Sequence, residues 1–402
     1  MIRLDERLTP THAPLTPMRL RALARTLRAG GTELRTLSAS ARITALDRVA
    51  ASWLAADSAW HRQALVELPM STGYPRAAIE IALANLWGAL RAPDLTSTLH
   101  TELSDRSAHP ASVPGLAWHV LAGNVPGVGV FGIIAALLAG VPSLVKPAAR
   151  EPFLPALLID SIAAVAPELR CAITVAPWRG GTADLDAIAV SEADLVLAYG
   201  RDKTLDHLSA WQPRRLLRFG RRLSVALIAR SAVTRRTAAA LARQVALFDQ
   251  QGCLSPQLAC VEESSPAETE RFAGMVADEL AQLEHELPRA ALTLAESATV
   301  WRFLEQQRWR AQEGAAVVVH GGGNGHPSVV YDRTPDWPMS PTFRHLVMVP
   351  IPTLAAAANV LQPLAGVVEA VGYAGPIARL AAMADIAARC GAHRLCPLER
   401  LQ

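Results

Sequence analysis

The spacing of apolar positions changes near residue 116. Over 17–90 it is helical: Leu20, Leu23, Ala24 and Leu27 stand at i, i+3, i+4 and i+7, and the run 38–55 behaves likewise. Gly, Pro and Ser mark a linker near 107–115. From 116 onward, short apolar runs alternate with helical stretches. The pattern predicts strands at 117–121, 143–145, 172–175, 193–199, 215–219 and 224–229. Helices are predicted between them at 128–139, 152–165, 183–190 and 203–211, with Pro152 as a first helical residue. Apolar runs separated by helices imply a parallel sheet covered on both faces. The fold class is therefore α/β, with a doubly wound, Rossmann-type unit first.

A second α/β layer follows. An amphipathic helix spans 234–248, with Ala238, Leu241, Ala242 and Val245 on one face. A loop at 249–256 leads into a strand at 258–261, and helices are predicted at 266–286 and 298–312. The strand 315–320 enters a Gly-rich turn and returns through 328–331 as a hairpin. A strand at 346–350 and helices at 352–361 and 376–390 complete the pattern. One stretch, 125–142, has 18 residues without a charged side chain and so reaches membrane length. Its glycines and prolines read instead as a turn, a buried helix and the start of a strand. The first 17 residues lack the apolar core of a secretory signal.

Composition narrows the class. With 402 residues, 51% hydrophobic and 19% charged, the chain can bury two domain cores and is not disordered. A net charge of +3 gives no reason to expect a nucleic-acid partner. The cysteines Cys171, Cys253, Cys260, Cys390 and Cys396 are scattered without a CxxC pair, so a reducing cytoplasmic compartment is the simpler expectation. The basic residues are almost all arginine; the only two lysines are Lys146 and Lys203.

Three motifs could carry chemistry. Gly127-Val-Gly-Val-Phe-Gly132 follows a strand and opens a helix, as a phosphate-binding G-x-G-x-x-G does. The same glycines could equally serve only close packing of helix on sheet. Cys253 lies on the polar, glycine-bracketed loop 249–257, where it reads as a nucleophile or as a small buried hydrophobe. Cys260, two residues into the next strand, reads as core. Asn124 sits at a strand end, where its amide could donate to an oxyanion or simply form a turn. His320 and His326 flank a Gly-rich turn, but without a third ligand they read as a hairpin rather than a zinc site.

The order Asn124, Lys146-Pro147, Gly200, Phe219-Gly220 and Cys253 resembles the aldehyde dehydrogenase superfamily. The segments His119-Val-Leu-Ala-Gly-Asn-Val-Pro-Gly127, Leu197-Ala-Tyr-Gly200, Arg218-Phe-Gly-Arg-Arg-Leu-Ser224, Gln251-Gly-Cys-Leu-Ser-Pro-Gln257 and His393-Arg-Leu-Cys-Pro397 are similar to its acyl-CoA reductase branch. That branch is the LuxC family, known from the fatty-acid reductase of bacterial luminescence. The resemblance runs over roughly 40–402. It implies an aldehyde-dehydrogenase-like fold with a helical N-terminal region and nicotinamide-cofactor domain at 1–222. A catalytic domain at 223–372 and a C-terminal helix and short strand at 373–402 would follow.

By the same resemblance, Cys253 takes the acyl group as a thioester, and Asn124 with the Cys253 N–H holds the oxyanion. Lys146, with Pro147, contacts the adenosine ribose or its phosphate, and Gly200 and Gly220 lie at turns near the cofactor. The departures also carry meaning. Hydrolytic relatives place a Glu where this chain has Arg218, and an arginine stays protonated and cannot activate water. The thioacyl enzyme should then exchange with a thiol such as coenzyme A. Lys146-Pro-Ala-Ala149 lacks the family's acid and is followed by Arg150, which favours NADPH over NADH. Ser340-Pro-Thr-Phe343 replaces the segment whose Glu holds the second ribose, and the chain stops soon after Pro397, so a short last strand for subunit contacts is expected.

The implied activity is NADPH-dependent reduction of an acyl-CoA or acyl-carrier thioester to the aldehyde. The alternatives are aldehyde oxidation to acid and a non-catalytic relative. A homo-oligomer, and a complex with an acyl-transfer or acid-activating enzyme, are further expectations, with no membrane span. His119 and His345 are the nearest candidates for lowering the Cys253 pKa, though either also reads as a core histidine.

Overall fold

The computed structural model describes residues 15–103, 113–335 and 339–402. The expected linker near 107–115 lies, up to residue 112, outside the described residues, as does the N-terminal stretch up to residue 14. The chain divides into two compact units, 1–220 and 221–402.

The first unit opens with five helices: α1 Pro17–Thr36, α2 Ala39–Leu54, α3 Ala59–Thr72, α4 Arg76–Gly88 and α5 Ala92–Leu103. The hydroxyls of Thr16, Ser38 and Ser58 accept from backbone N–H groups in the first turns of α1, α2 and α3. There follow β1 Ala117–Val120, α6 Val128–Leu138, β2 Ser143–Lys146, α7 Phe153–Val165 and β3 Ile173–Val175. The unit ends with α8 Ala183–Glu192, β4 Leu195–Tyr199, α9 Asp202–Ala210 and β5 Leu216–Phe219. The five strands form one parallel sheet in the order β3-β2-β1-β4-β5. The period-two alternation of strands sorts its core. Trp118, Val120, Leu144 and Val196 pack with Leu20 and Leu27 of α1 and Ile188 of α8. Ala117 and Leu197 join Val141 in a separate cluster. The 18-residue apolar stretch resolves into a turn, the buried helix α6 and the approach to β2. Among the described residues no helix is long and apolar enough to cross a membrane.

The second unit contains β6 Leu223–Ile228, α10 Arg235–Ala246, β7 Pro256–Glu262, α11 Pro266–Glu286 and α12 Leu294–Gln312. It continues through β8 Val317–Gly321, β9 Ser328–Asp332, β10 His345–Ile351 and α13 Ala357–Leu361. β11 Val368–Ala374, α14 Leu380–Arg389 and β12 Arg394–Pro397 complete it. Its seven strands run β12-β11-β6-β7-β10-β9-β8, all neighbours parallel except the β8–β9 hairpin. One face of the sheet buries Val225, Leu227, Leu258 and Cys260, the other Ala226, Ile228, Ala259 and Val261.

Three elements depart from the apolar pattern for local reasons. Helix α12 begins at Leu294, four residues before its periodic run, because Thr293 and Glu296 form a reciprocal capping box. The expected helix over 352–361 is broken into a 3-10 turn, the short α13 and another 3-10 turn that contains Pro363. Strand β11 is missing from the pattern-based expectations because Glu369 interrupts its apolar run near the start.

Candidate active site

In the first unit the candidate residues gather at the C-terminal ends of the parallel strands, where open α/β sheets bind ligands. Asn124 follows β1, Lys146 ends β2, Trp178 follows β3 and Gly200 follows β4. Asn124 is exposed on its turn, and its carbonyl accepts from the buried Tyr74 hydroxyl at 2.8 Å. The turn lies tight against the loop after β2. A Cβ on Gly123 would stand 3.0 Å from the Ala148 Cβ and 3.2 Å from that of Arg150, so a larger residue would press the two loops apart by a few tenths of an ångström.

The Lys146 ammonium lies 5.5 Å from the centre of the Trp178 ring, which itself stacks on Trp118. Burial lowers the Lys146 pKa and the nearby Asp186 acts the other way. The buried Asp186 fixes this corner. It accepts from the Trp178 indole N–H at 2.7 Å and from the Gly181 N–H at 3.0 Å. Arg150 is exposed, and one guanidinium nitrogen donates to the Thr72 carbonyl at the end of α3. Pro147 is buried, and Gly220 closes β5 beside Leu205.

The G-x-G-x-x-G glycines serve packing. A Cβ on Gly129 would sit 2.4 Å from a Leu121 methyl, and one on Gly132 would sit 2.8 Å from the Tyr199 hydroxyl. Both approaches are internal to the unit, as expected for glycines that seat a helix closely on its sheet.

Glu151 was not among the residues singled out in the sequence. It is buried, and its carboxylate accepts from the Leu154 N–H at 2.8 Å, capping α7 one residue before Pro152. Burial pushes its pKa up to about 7, against the helix N–H groups, which lower it. The folded state therefore holds this proton more tightly than the unfolded chain does. The resulting stability is fully present below the ordinary value of 4.5 and is lost as pH rises toward 7. Glu151→Gln keeps a cap acceptor without the buried charge. It is expected to stabilise the protein by about 2–3 kcal/mol at about pH 8 and by little at about pH 4. Urea unfolding at both pH values checks this; equal shifts at both would contradict it.

In the second unit, α10 ends at Ala246 and the chain turns sharply. Phe248, Asp249 and Gln250 have φ of 50°, 52° and 58°, and Thr342, Phe343 and Arg344 have φ of 71°, 58° and 67°. Left-handed backbone costs a residue with a Cβ roughly 1–2 kcal/mol, so two such runs need strong fixing. They fix each other. The Phe343 N–H donates to the Asp249 carbonyl at 2.9 Å, and Arg344 Nε donates to Asp249 Oδ1 at 2.7 Å. The second Asp249 oxygen accepts from the Ala290 N–H at 3.0 Å, and Arg344 Nη1 donates to the Leu287 carbonyl at 2.7 Å. Both charged side chains are buried, at 2% and 1% exposure.

This clamp aims the loop that carries Cys253. The Gln250 amide donates to the Pro256 carbonyl, the Ser255 N–H to the Gly252 carbonyl and the Ser224 hydroxyl to the Cys253 carbonyl. Cys253 is half-buried, whereas Cys260 is fully buried, with a thiol pushed up to about 12 by burial. The Cys253 thiol is also raised, first by burial and then by the charge of Glu369. The Cys253 and Leu254 N–H groups and Arg222 lower it.

His119 and His345, the nearest candidates for activating Cys253, are core residues, the other reading the sequence allowed. His119 bonds Ser143 at 3.0 Å and His345 bonds Ser328 at 2.7 Å. Burial holds both at about 3, so neither carries a charge near neutral pH. Arg218, which the family resemblance set where hydrolytic relatives carry a Glu, lies on the exposed strand β5 and pairs with Asp206 at 2.7 Å. His326 faces Glu284, and among the described residues no three His, Cys, Asp or Glu side chains are grouped to hold a metal.

Comparison with known proteins fits these features. The model of the family described as acyl-CoA reductase (LuxC) matches residues 34–401. The chain belongs to the LuxC family. Among curated LuxC relatives, long-chain acyl-protein thioester reductase 2 of Photobacterium leiognathi is 29% identical over 148 residues, 36% of this chain and 31% of the relative. The long-chain acyl-protein thioester reductase of Aliivibrio fischeri is 28% identical over 152 residues, 37% of this chain and 32% of the relative. The matched segment thus spans about a third of the curated relatives' length.

Solved structures place the LuxC chain in the aldehyde-dehydrogenase fold. It superposes on a NAD-dependent benzaldehyde dehydrogenase from Corynebacterium glutamicum with a TM-score of 0.73 and 15% identity, covering 97% of this chain and 88% of the other. For glyceraldehyde-3-phosphate dehydrogenase GapN from Methanocaldococcus jannaschii, complexed with NADP, the TM-score is 0.71 at 13% identity, covering 96% and 87%.

Proposed function

We propose that this protein reduces a long-chain acyl thioester to the aldehyde, with NADPH as reductant and Cys253 as the acyl acceptor. The observation that carries the reading is the Cys253 loop, clamped by a buried ion pair in a LuxC-family chain whose hydrolytic-base position is Arg218 engaged with Asp206. A thioacyl enzyme without a base at that position is protected from water and is left to hydride or to a thiol.

The Cys253 thiolate attacks the thioester carbonyl carbon. The family resemblance assigns the oxyanion to the Cys253 N–H and the Asn124 amide, a contribution of about 3–4 kcal/mol per donor. A nicotinamide cofactor, when bound, supplies the hydride. Lys146 and Pro147 at the end of β2, Gly200 after β4 and Gly220 after β5 would hold it, at the sheet edge where such groups bind. The exposed cation of Arg150 in the next loop favours a 2′-phosphate. The acyl carrier is coenzyme A or a carrier protein; the names of the curated relatives support the protein thioester. A cytoplasmic homo-oligomer that meets an acyl-transfer or acid-activating enzyme belongs to the same proposal.

The test is cofactor oxidation with aldehyde trapping, run over a series of acyl-CoA and acyl-carrier-protein chain lengths. One aldehyde per NADPH consumed, with no free acid, is expected; free acid as the product would overturn the reading. Lys146→Ala should raise the NADPH KM by about tenfold with a smaller loss in kcat. An unchanged KM would remove Lys146 from the cofactor site.

A further inference from the structure

The position of the usual base holds Arg218, yet a carboxylate stands beside the nucleophile loop from another strand. Glu369 lies on β11, where the pairing with β6 shifts between Val368 and Ala370. Bulges of this kind re-aim a side chain and recur next to active sites. Ala370, the residue after Glu369, pairs in register with Ser224, whose hydroxyl holds the Cys253 carbonyl at 2.9 Å. Leu254, the residue after Cys253, packs against the cluster formed by Ala370, Cys396 and Leu401. The neighbours of both residues thus touch, and Glu369 and Cys253 feel each other's charge.

Glu369 is flanked from two sides. Arg222 Nε lies 3.8 Å from one carboxylate oxygen, and His393 Nδ1 lies 3.8 Å from the other. The His393 N–H donates to the Glu369 carbonyl at 3.0 Å, fixing the backbone at the bulge. The carboxylate keeps 27% exposure, as a proton-transfer group needs. Arg222, His393 and Cys253 are charged or titratable groups that interact with it. Arg394 is turned toward the Arg400 and Leu401 carbonyls.

We infer that Glu369 is the proton shuttle of the acyl-transfer step. It accepts the Cys253 thiol proton as sulfur bonds to the thioester carbonyl carbon. It returns that proton to the departing thiol as the old carbon–sulfur bond breaks, so the step is redox-neutral and consumes no water. This rests on Cys253 being the acyl acceptor, and it gives the segment around His393 a task, that of flanking the base. A carboxylate beside a thiol raises the thiol pKa while it accepts the proton in the transition state. These two effects have opposite signs in different reactions, which makes them separable.

The experiment measures two rates on the full-length protein: iodoacetamide alkylation of Cys253 and acylation by acyl-CoA without cofactor, both followed by peptide mass. In Glu369→Gln, alkylation at about pH 7 should rise by up to about tenfold, because the opposing charge is gone. Acylation should fall by about 10²-fold, because the proton acceptor is gone. Acylation that rises together with alkylation, or stays unchanged, would overturn the shuttle and leave a mere electrostatic neighbour. Should the Gln variant not fold, Glu369→Asp keeps the charge but withdraws the carboxylate by one methylene. It should leave alkylation nearly unchanged and slow acylation by about tenfold, and unchanged acylation would again overturn the inference. If wild-type Cys253 takes no acyl group at all, the failure lies with the nucleophile and not with Glu369.

Discussion

Cys253→Ala is expected to abolish acyl transfer, with a loss of about 10³-fold or more in thioester-dependent NADPH oxidation. The magnitude follows from the chemistry. Without a covalent acceptor, the hydride would have to reach a free thioester held only by binding contacts and an oxyanion site. Thermal stability should change little, because Cys253 is half-buried on a loop rather than packed in a core cluster as Cys260 is. The control is Cys260→Ala, which empties a buried core position and should lower stability by about 1 kcal/mol while leaving acyl transfer in place. Retained turnover in the Cys253 variant would show that the acyl group goes elsewhere.

Arg344→Met should have the largest effect on stability. It leaves Asp249 buried without its guanidinium partner and strips the donor from the Leu287 carbonyl. Breaking one side of a buried ion pair costs about 3–5 kcal/mol, whereas replacing both partners costs much less. The double variant Asp249→Asn with Arg344→Met should therefore recover a large part of the loss. Because the pair also holds two left-handed runs against each other, the single variant should slow acylation of Cys253 in the molecules that remain folded. Urea unfolding of the full chain measures the first effect and peptide mass the second. A midpoint equal to wild type would show that the clamp does not bear on stability.

Periodicity made much of this fold legible. Alternating apolar runs and helices located every strand of the first sheet, since buried parallel strands leave a plain hydrophobic signature. The loop around Cys253, with Gly252 and Pro256, and the turn at Asn124 were visible because turns need particular residues. What stayed hidden is charge placed inside apolar surroundings. Glu369 interrupts β11, Glu151 is buried against the first turn of α7, and Asp249 and Arg344 are buried partners that lie far apart in sequence. Their only local signal is a lone charge in an apolar run, as in Val367-Val-Glu-Ala-Val371, and that signal does not name a partner. The two left-handed runs were equally hidden, because neither contains a glycine. Conversely, the G-x-G-x-x-G match was visible but did not by itself name its role, because close helix packing requires the same residue as phosphate approach.

The central claim is tested most directly by the mass of the peptide containing Cys253. The protein is incubated with a long-chain acyl-CoA without cofactor, digested, and compared with a sample chased with NADPH. The account predicts one acyl group on Cys253, removable by hydroxylamine and released as aldehyde when NADPH is added. An acyl group on another residue, or its release as free acid on adding NADPH, would contradict it.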